Sequence, residues 1–286
     1  MLATSNIKKT TNILKKVKLE KKKIGFVPTM GALHKGHISL VKKALSECDF
    51  VVVSIFVNPI QFSEGEDFNK YPRDLIKDKD LLRELGVDLV FVPDSAIMYS
   101  SGHSVYVDEN YLSKRLCGLS RPGHFKGVCT VLAKLFNIIG PDTAYFGQKD
   151  YQQFLIIKRL VQDLNFNIDL RILPILRDKK GLALSSRNSF LNKEKYIQAL
   201  CLYRSLQLAK KAFDRGQRIS DRLIRIIKDE INKEQSAKID YVEVVDAQDL
   251  KPLRKITSQA LVALAVYIDR VRLIDNIILN VKKKKN

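Results

Sequence analysis

The stretch VPTMGALHKGHISLV, residues 27–41, carries two of the four histidines in a chain of 286 residues. IGFVP (Ile24 to Pro28) leads into it, short and apolar enough for a buried strand. After it Leu40, Val41, Ala44, Leu45 and Cys48 recur at helical spacing. A strand that passes into a helix through two glycines and two imidazoles has the makings of a phosphate site. The helix starting near His37 offers free amides and the positive end of its dipole. Gly31 and Gly36 let the backbone pass close to a bulky anion. His34 and His37 can donate to phosphate oxygens that gain charge during transfer. The plainer reading is that one histidine caps the helix and the other is surface, and for a lone H-x-x-H it is the better one. Position after the first strand and before the first helix favours the phosphate.

Working outward, the same alternation repeats. FVVVSIFV (Phe50 to Val57) reads as a strand, a helix begins near Arg73, and DLVFVP (Asp88 to Pro93) is a strand. Val128, Val131, Leu132, Leu135 and Phe136 share a helix face; TAYFG (Thr143 to Gly147) is a strand, and Tyr151, Phe154, Leu155 and Ile157 begin another helix. IDLRILPIL (Ile168 to Leu176) follows as a strand. Strands that are apolar throughout and separated by helices predict a doubly wound α/β domain with a parallel sheet, its ligands beyond the carboxyl ends of the strands. The tail differs: helices over about 193–214 and 219–234 precede IDYVEVVDA, ALVALAVYID and VRLIDNIIL, which predicts a smaller α+β domain with an antiparallel sheet. The expected division is residues 1–176, a polar, turn-prone linker over 177–192, and residues 193–286.

Composition narrows the function classes. The chain is 45% hydrophobic and 28% charged, an ordinary globular balance, and has no apolar run of membrane-spanning length. The N-terminus lacks the pattern of a secretory signal, and cysteines 48, 117, 129 and 201 show no C-x-x-C pair. These features predict a cytoplasmic protein with reduced thiols. The net charge is +19, of which residues 1–23 hold +7 and the lysines at 282–285 hold +4. Both ends are expected to be solvated and partly mobile. No arginine-rich patch interleaves with aromatics and no zinc-finger or helix-turn-helix spacing occurs, so nucleic acid is not the expected partner.

Other motifs fall at strand ends. FVNPIQF (Phe56 to Phe62) supplies Asn58 and Gln61, two amides able to hydrogen-bond a small hydroxy acid, or else a strand-terminating Asn-Pro turn. FGQKDYQQF (Phe146 to Phe154) offers Gly147 for close approach, Lys149 as a point charge for phosphate, Asp150 as an acceptor for ribose hydroxyls, and Gln153 one turn on. The plainer reading of this segment is an ordinary helix start. LSSRN (Leu184 to Asn188) puts two hydroxyls and an arginine in a loop suited to a lid, or to a surface turn with a helix cap. SRPGHF (Ser120 to Phe125), with Arg121 and His124, is either a basic loop over the site or a turn before a helix. No third histidine or cysteine lies in motif range, so no metal site is expected in the chain itself.

H-x-G-H after the first strand, answered by a late serine-and-basic loop, resembles the HIGH and KMSKS elements of the nucleotidyltransferase superfamily. PTMGALHKGH, FVNPIQF, SRPGHF, FGQKDYQQ and GLALSSRN, in this order and spacing, resemble the pantoate–β-alanine ligase family from about Ile24 to the final strands, strongly in the front domain and vaguely in the tail. The resemblance implies a Rossmann-like N-terminal domain, a smaller C-terminal lid domain and a homodimer. It implies ATP-dependent condensation of (R)-pantoate with β-alanine through a pantoyl adenylate, releasing AMP and pyrophosphate, with Mg²⁺ held mainly through the phosphates.

Carried over by motif, Met30, Gly31, Ala32, Leu33, His34, Lys35, Gly36 and His37 would line the ATP phosphates. His37 would be the proton donor or hydrogen-bonding catalyst, with His34, Lys149 and Arg187 as its partners in the chemistry. Gln61 and Gln153 would hold pantoate, helped by Asn58, and Gln61 would also meet β-alanine. Gly147, Gln148, Lys149 and Asp150 would meet ribose and phosphates. Leu176 and Leu184 would flank adenine, and Ser185, Ser186 and Arg187 would close over the polyphosphate. Two departures occur: Lys180 and Lys35 stand where the family usually shows acidic residues, Lys35 within the loop carried over to ATP. Two other readings stand beside this one. Another nucleotidyltransferase would need no paired amides and would use a phosphate nucleophile. A nucleic-acid-binding protein would use the +19 charge in tight, salt-dependent binding.

Overall fold

The computed structural model describes residues 1–281; the lysine run at 282–285 lies outside the described residues. In chain order the strands are β1 (Leu2–Thr4), β2 (Ile24–Thr29), β3 (Phe50–Ile55), β4 (Leu89–Phe91), β5 (Thr143–Gly147), β6 (Asp169–Leu173), β7 (Ala237–Asp246), β8 (Gln259–Ile268) and β9 (Val271–Asn280). The α-helices are α1 (Ile7–Leu19), α2 (Lys35–Glu47), α3 (Leu75–Glu84), α4 (Ser95–Met98), α5 (Cys117–Ser120), α6 (His124–Ile139), α7 (Tyr151–Asp163), α8 (Lys193–Ala199), α9 (Cys201–Asp214) and α10 (Ser220–Ile231). They form two compact units. The first holds residues 1–113 and 121–175, the second residues 114–120 and the chain from Leu176 onward.

In the first unit all six strands run parallel, in the order β1-β4-β3-β2-β5-β6. This is the predicted doubly wound α/β architecture. Val51, Val52 and Val53 of β3 have no exposed surface, nor do Leu89, Val90 and Phe91 of β4, as expected of strands covered on both faces. The amino ends of the strands are closed by the protein's own carboxylates. Asp49 accepts from the Lys23 amide (2.9 Å), Asp142 from that of Ile24 (2.6 Å) and Asp88 from that of Val51 (2.7 Å). The carboxyl ends receive the glycine- and amide-rich loops instead.

The N-terminal lysine-rich stretch differs from the expectation of a mobile end. Leu2–Thr4 pairs with β4, and α1 is capped by Asn6, whose side chain accepts from the Lys9 amide at 2.9 Å. Thr10, Leu14 and Val17 form a narrow buried stripe against α6, while the lysines face out. Eight lysines among 23 residues hide that stripe from a composition count, but i, i+4, i+7 spacing is enough to anchor a helix.

The second unit is the predicted α+β arrangement, a three-stranded antiparallel sheet β7-β8-β9 with α9 and α10 in its core. Every residue of β8 from Ala260 to Val266 is apolar and almost without exposure, because it is the central strand. The predicted helix over 193–214 is broken at Leu200 into α8 and α9. Arg177 makes a paired contact to the buried Asp275 (2.6 and 2.8 Å) and lies over the Tyr203 ring.

Candidate active site

The sheet order reverses at β2: α2 follows β2 and leads to its neighbour β3 on one side, while β5 pairs on its other side. The crevice beyond the carboxyl ends of two such strands is where open α/β sheets bind ligands. Residues 30–37 follow β2, and residues 148–153 follow β5.

Backbone geometry makes the first loop. Thr29 donates its hydroxyl to the Ser54 carbonyl (2.7 Å) and accepts from the Gly31 amide. Gly31 (φ 83°) and Ala32 (φ 50°) are both left-handed, and the strain at Ala32 is held by Asp78. One Asp78 oxygen accepts from the Ala32 amide and the other from the Leu33 amide, each at 2.8 Å. Asp78 sits on the inner face of α3, 3% exposed, and burial raises its pKa against the opposing pull of those two amides.

His34 is the N-cap of α2. Its Nδ1 accepts from the Gly36 amide (3.1 Å), and the Nδ1 of His37 accepts from the His34 amide (3.3 Å). An Nδ1 that accepts a hydrogen bond carries no proton, so each neutral ring holds its proton on Nε2. The rings stack with centroids 4.1 Å apart. Gly36 is required: a Cβ there would stand 2.7 Å from Cε1 of His34. Burial, with Lys149 adding to it, pushes His34 down to about 4. Burial, then His34, then Lys149 push His37 down to about 3. The cap and phosphate readings of the sequence are therefore compatible: Nδ1 serves the helix and Nε2–H remains a neutral donor. A free imidazolium at His37, the stronger form of a proton donor, does not fit this environment.

The second loop ends β5. Gln148–Asp150 form a 3₁₀ turn, Lys149 lies 3.5 Å from Asp150, and α7 starts at Tyr151 with Gln153 half-buried in its first turn. A Cβ at Gly147 would meet open space.

Asn58 and Gln61 flank a 3₁₀ turn begun by Pro59. Asn58 is 1% exposed; its amide nitrogen donates to Oε1 of Gln61 (3.1 Å) and to the Gly127 carbonyl (3.0 Å), and its oxygen accepts from the Tyr99 hydroxyl (2.7 Å). Both donors are used inside the protein, so Asn58 orients Gln61 here and does not itself face a ligand. Gln61 Nε2 reaches the Met30 sulfur at 2.9 Å, joining this motif to the histidine loop.

The 176–188 stretch is tied into the second unit. Arg177 and Ala183 bridge, the Leu184 amide donates to the Leu176 carbonyl (2.9 Å), and Asp178 accepts from Lys180 and Leu182 amides and from the Tyr196 hydroxyl. Leu176 is exposed, while Leu184, Ser185, Ser186 and Arg187 are half-buried; Ser185 Oγ accepts from the Arg187 amide at 3.3 Å.

Among the described residues no three His, Cys, Asp or Glu side chains come together as a metal-binding group. The groups at the crevice are amides, neutral imidazoles, a lysine and one carboxylate, Asp150, too few oxygen ligands for a cage around Mg²⁺. Tyr99, Asp78, Glu66 and Gly127 escaped the sequence reading. Only Asp78 left a signal, a carboxylate four residues before Leu82 on the buried face of its helix.

The pantoate-beta-alanine ligase family model matches residues 3–278. The pantothenate synthetase of Fervidobacterium nodosum is 54% identical over 259 residues, covering 91% of this chain and 92% of the relative. That of Thermosipho africanus is 50% identical over 98% of this chain and all of its own. The crystal structure of pantothenate synthetase from Thermus thermophilus superposes with a TM-score of 0.92 at 41% identity, covering 97% of this chain and 99% of that one. A Francisella tularensis pantoate-beta-alanine ligase, complexed with Beta-gamma ATP and β-alanine, gives 0.80 at 39% identity over 97% of each chain. With a match along nearly its whole length, a parallel sheet that reverses at the histidine loop and the amide pair beside it, the chain belongs to the pantoate–β-alanine ligase family.

Proposed function

We propose that this enzyme condenses (R)-pantoate with β-alanine, using ATP, at the crevice between the carboxyl ends of β2 and β5. Pantoate's carboxylate attacks the α-phosphorus of ATP and pyrophosphate leaves, giving pantoyl adenylate; the β-alanine amine then attacks the acyl carbon and AMP leaves. The observation that carries this reading is the pair of imidazoles locked as Nε2–H tautomers beside Lys149. They supply fixed donors for charge developing at phosphate oxygens, and they need no nucleophile from the chain. Gln61 and Gln153 hold pantoate, with Gln61 oriented by Asn58, and Gln61 also faces β-alanine. Mg²⁺ enters with the phosphates, and no step here runs through a resident metal.

Met30 to His37 and Gly147 to Asp150 take ATP. The roles of Leu176, Leu184, Ser185, Ser186 and Arg187 toward ATP rest on the family pattern, and Arg187→Ala should raise the KM for ATP at unchanged pantoate KM. The enzyme is a homodimer on the same ground, to be checked by sedimentation. None of Cys48, Cys117, Cys129 and Cys201 is in a disulfide, which supports a cytoplasmic setting. The central test is ATP–pyrophosphate exchange with Mg²⁺ and pantoate, β-alanine omitted. Pantoate-dependent exchange establishes the first half-reaction, and its absence in folded protein refutes the assignment.

A further inference from the structure

Arg121 and His124, the residues of SRPGHF left without a role by the reaction, converge on the backbone of Gln61. Nδ1 of His124 lies 2.7 Å from the Gln61 carbonyl oxygen. Its Nε2 lies 3.0 Å from an Arg121 guanidinium nitrogen. A guanidinium has donors only, so Nε2 must be the acceptor, and the proton of a neutral ring sits on Nδ1, where it donates to the carbonyl. Arg121 is in turn held by Glu66, with Nε to Oε1 and a terminal nitrogen to Oε2, both at 2.6 Å. The same terminal nitrogen reaches the Gln61 carbonyl at 3.4 Å. The Arg121 side chain is 11% exposed and that of Glu66 22%; His124 is 7% exposed. Glu66 also accepts from the Ser63 amide at 3.2 Å, so its carboxylate fixes the loop that continues from Gln61.

We infer that Glu66, Arg121 and His124 are positioning residues for pantoate recognition. They form a directional relay, from carboxylate to guanidinium to a tautomer-fixed imidazole to the Gln61 carbonyl, which sets where the Gln61 side-chain amide stands. This rests on the assignment of Gln61 to pantoate made above. The guanidinium is occupied by Glu66 and His124 and so does not act as a binding site for a substrate carboxylate.

The imidazole allows a test that separates position from mere bulk. Asparagine places its amide nitrogen near the Nδ1 position of histidine, whereas glutamine places its own near Nε2. His124→Asn can keep the bond to Gln61, and His124→Gln cannot. In pantoate-dependent ATP–pyrophosphate exchange, His124→Ala and His124→Gln should raise the KM for pantoate about tenfold, the scale of one buried carbonyl losing its donor. The KM for ATP should move less than about twofold, and His124→Asn should restore most of the pantoate affinity. Glu66→Gln, which keeps the shape but removes the carboxylate charge that faces Arg121, should raise the pantoate KM in the same direction and serves if the His124 variants do not fold. Equal rises in both KM values, or no advantage of Asn over Gln, overturn the relay. A rise confined to the KM for β-alanine in Arg121→Lys overturns it too, because Arg121 would then touch that substrate directly. Exchange that is absent in the wild-type protein is a different result and refutes the pantoate assignment itself.

Discussion

Gly127 in the first turn of α6 supports a demanding test of how Gln61 is placed. A Cβ built on Gly127 would stand 2.4 Å from the Ile60 carbonyl oxygen, 2.5 Å from the Gln61 Cα and 2.6 Å from the Gln61 nitrogen. All three are backbone atoms, so no side chain can swing away. To reach even a 3.0 Å contact, the Pro59–Gln61 turn or the helix must retreat by roughly 0.6 Å. The Gly127 carbonyl accepts from Asn58, so the same movement strains the bond that orients the Gln61 amide. Overpacking of this kind costs about 1–3 kcal/mol of stability, or about 2–4 °C in Tm for each kcal/mol in a chain this long. Misplacing a binding group by up to 1 Å costs as much as ~100-fold in rate. Gly127→Ala should therefore lower Tm by several degrees and raise the pantoate KM in the exchange assay between about ten- and a hundredfold. ATP binding, proposed for the loops after β2 and β5, should change little. A Gly127→Ala protein with wild-type Tm and wild-type pantoate KM would refute the claim that α6 backbone contact places Gln61.

Three further outcomes follow from the site and its supports. His34 and His37 sit near 4 and 3 in the fold against 6.5 when unfolded, so their contribution to stability is complete above pH 6.5 and is lost as pH falls toward those values, by at most about 1.4 kcal/mol per pH unit for each. Urea midpoints between pH 7.5 and 4.5 should fall less steeply in a His34→Asn, His37→Asn double variant, and wild-type kcat/KM for ATP should show no inflection near 6.5. Asp78→Asn sets an amide donor against one of the two loop amides; it should cost about 1–3 kcal/mol in a urea titration and slow exchange at saturating substrates. In the second unit, Asp275→Asn breaks the buried pair to Arg177 and should cost about 3 kcal/mol by the same titration.

The alternation of apolar runs and helical stripes made the sheet legible, because strands buried on both faces carry no polar residues to confuse the pattern. The loops at their carboxyl ends were legible for a related reason: Gly31 and Gly36 mark places where the chain turns or comes close, and His34, His37, Lys149 and Gln61 are costly residues to place there without use. The supports were not legible. Asp78 reads as one charge among many in IKDKDLLRE, and only the helix face it occupies shows that it is buried. Glu66 pairs with Arg121 across 55 residues and Tyr99 with Asn58 across 41, separations at which no local spacing rule applies. The N-terminal helix failed for the opposite reason, since its lysines were visible and its three-residue stripe was not.

These supports have a common logic. The substrates are a polyanion and a carboxylate, and a crevice filled with fixed cations would bind them tightly before any reaction. Such uniform attraction does nothing for the chemical step. The structure instead places one lysine near two imidazoles whose burial keeps them neutral, and in the proposed reaction their strongest interaction is with charge that builds up on the phosphate oxygens during transfer. Neutral donors hold position only if something else fixes their tautomer and angle. Here backbone amides do so for His34 and His37, Asp78 fixes the amides just before them, and a charged relay fixes the carbonyl of Gln61. In this first unit Asp78, Glu66 and Arg121 act on backbone or on one another, and the amides proposed to meet pantoate, on Gln61 and Gln153, carry no charge. The +7 carried by residues 1–23 supplies no group to this shell and can draw anions toward the protein without binding the ground state at the reacting centre.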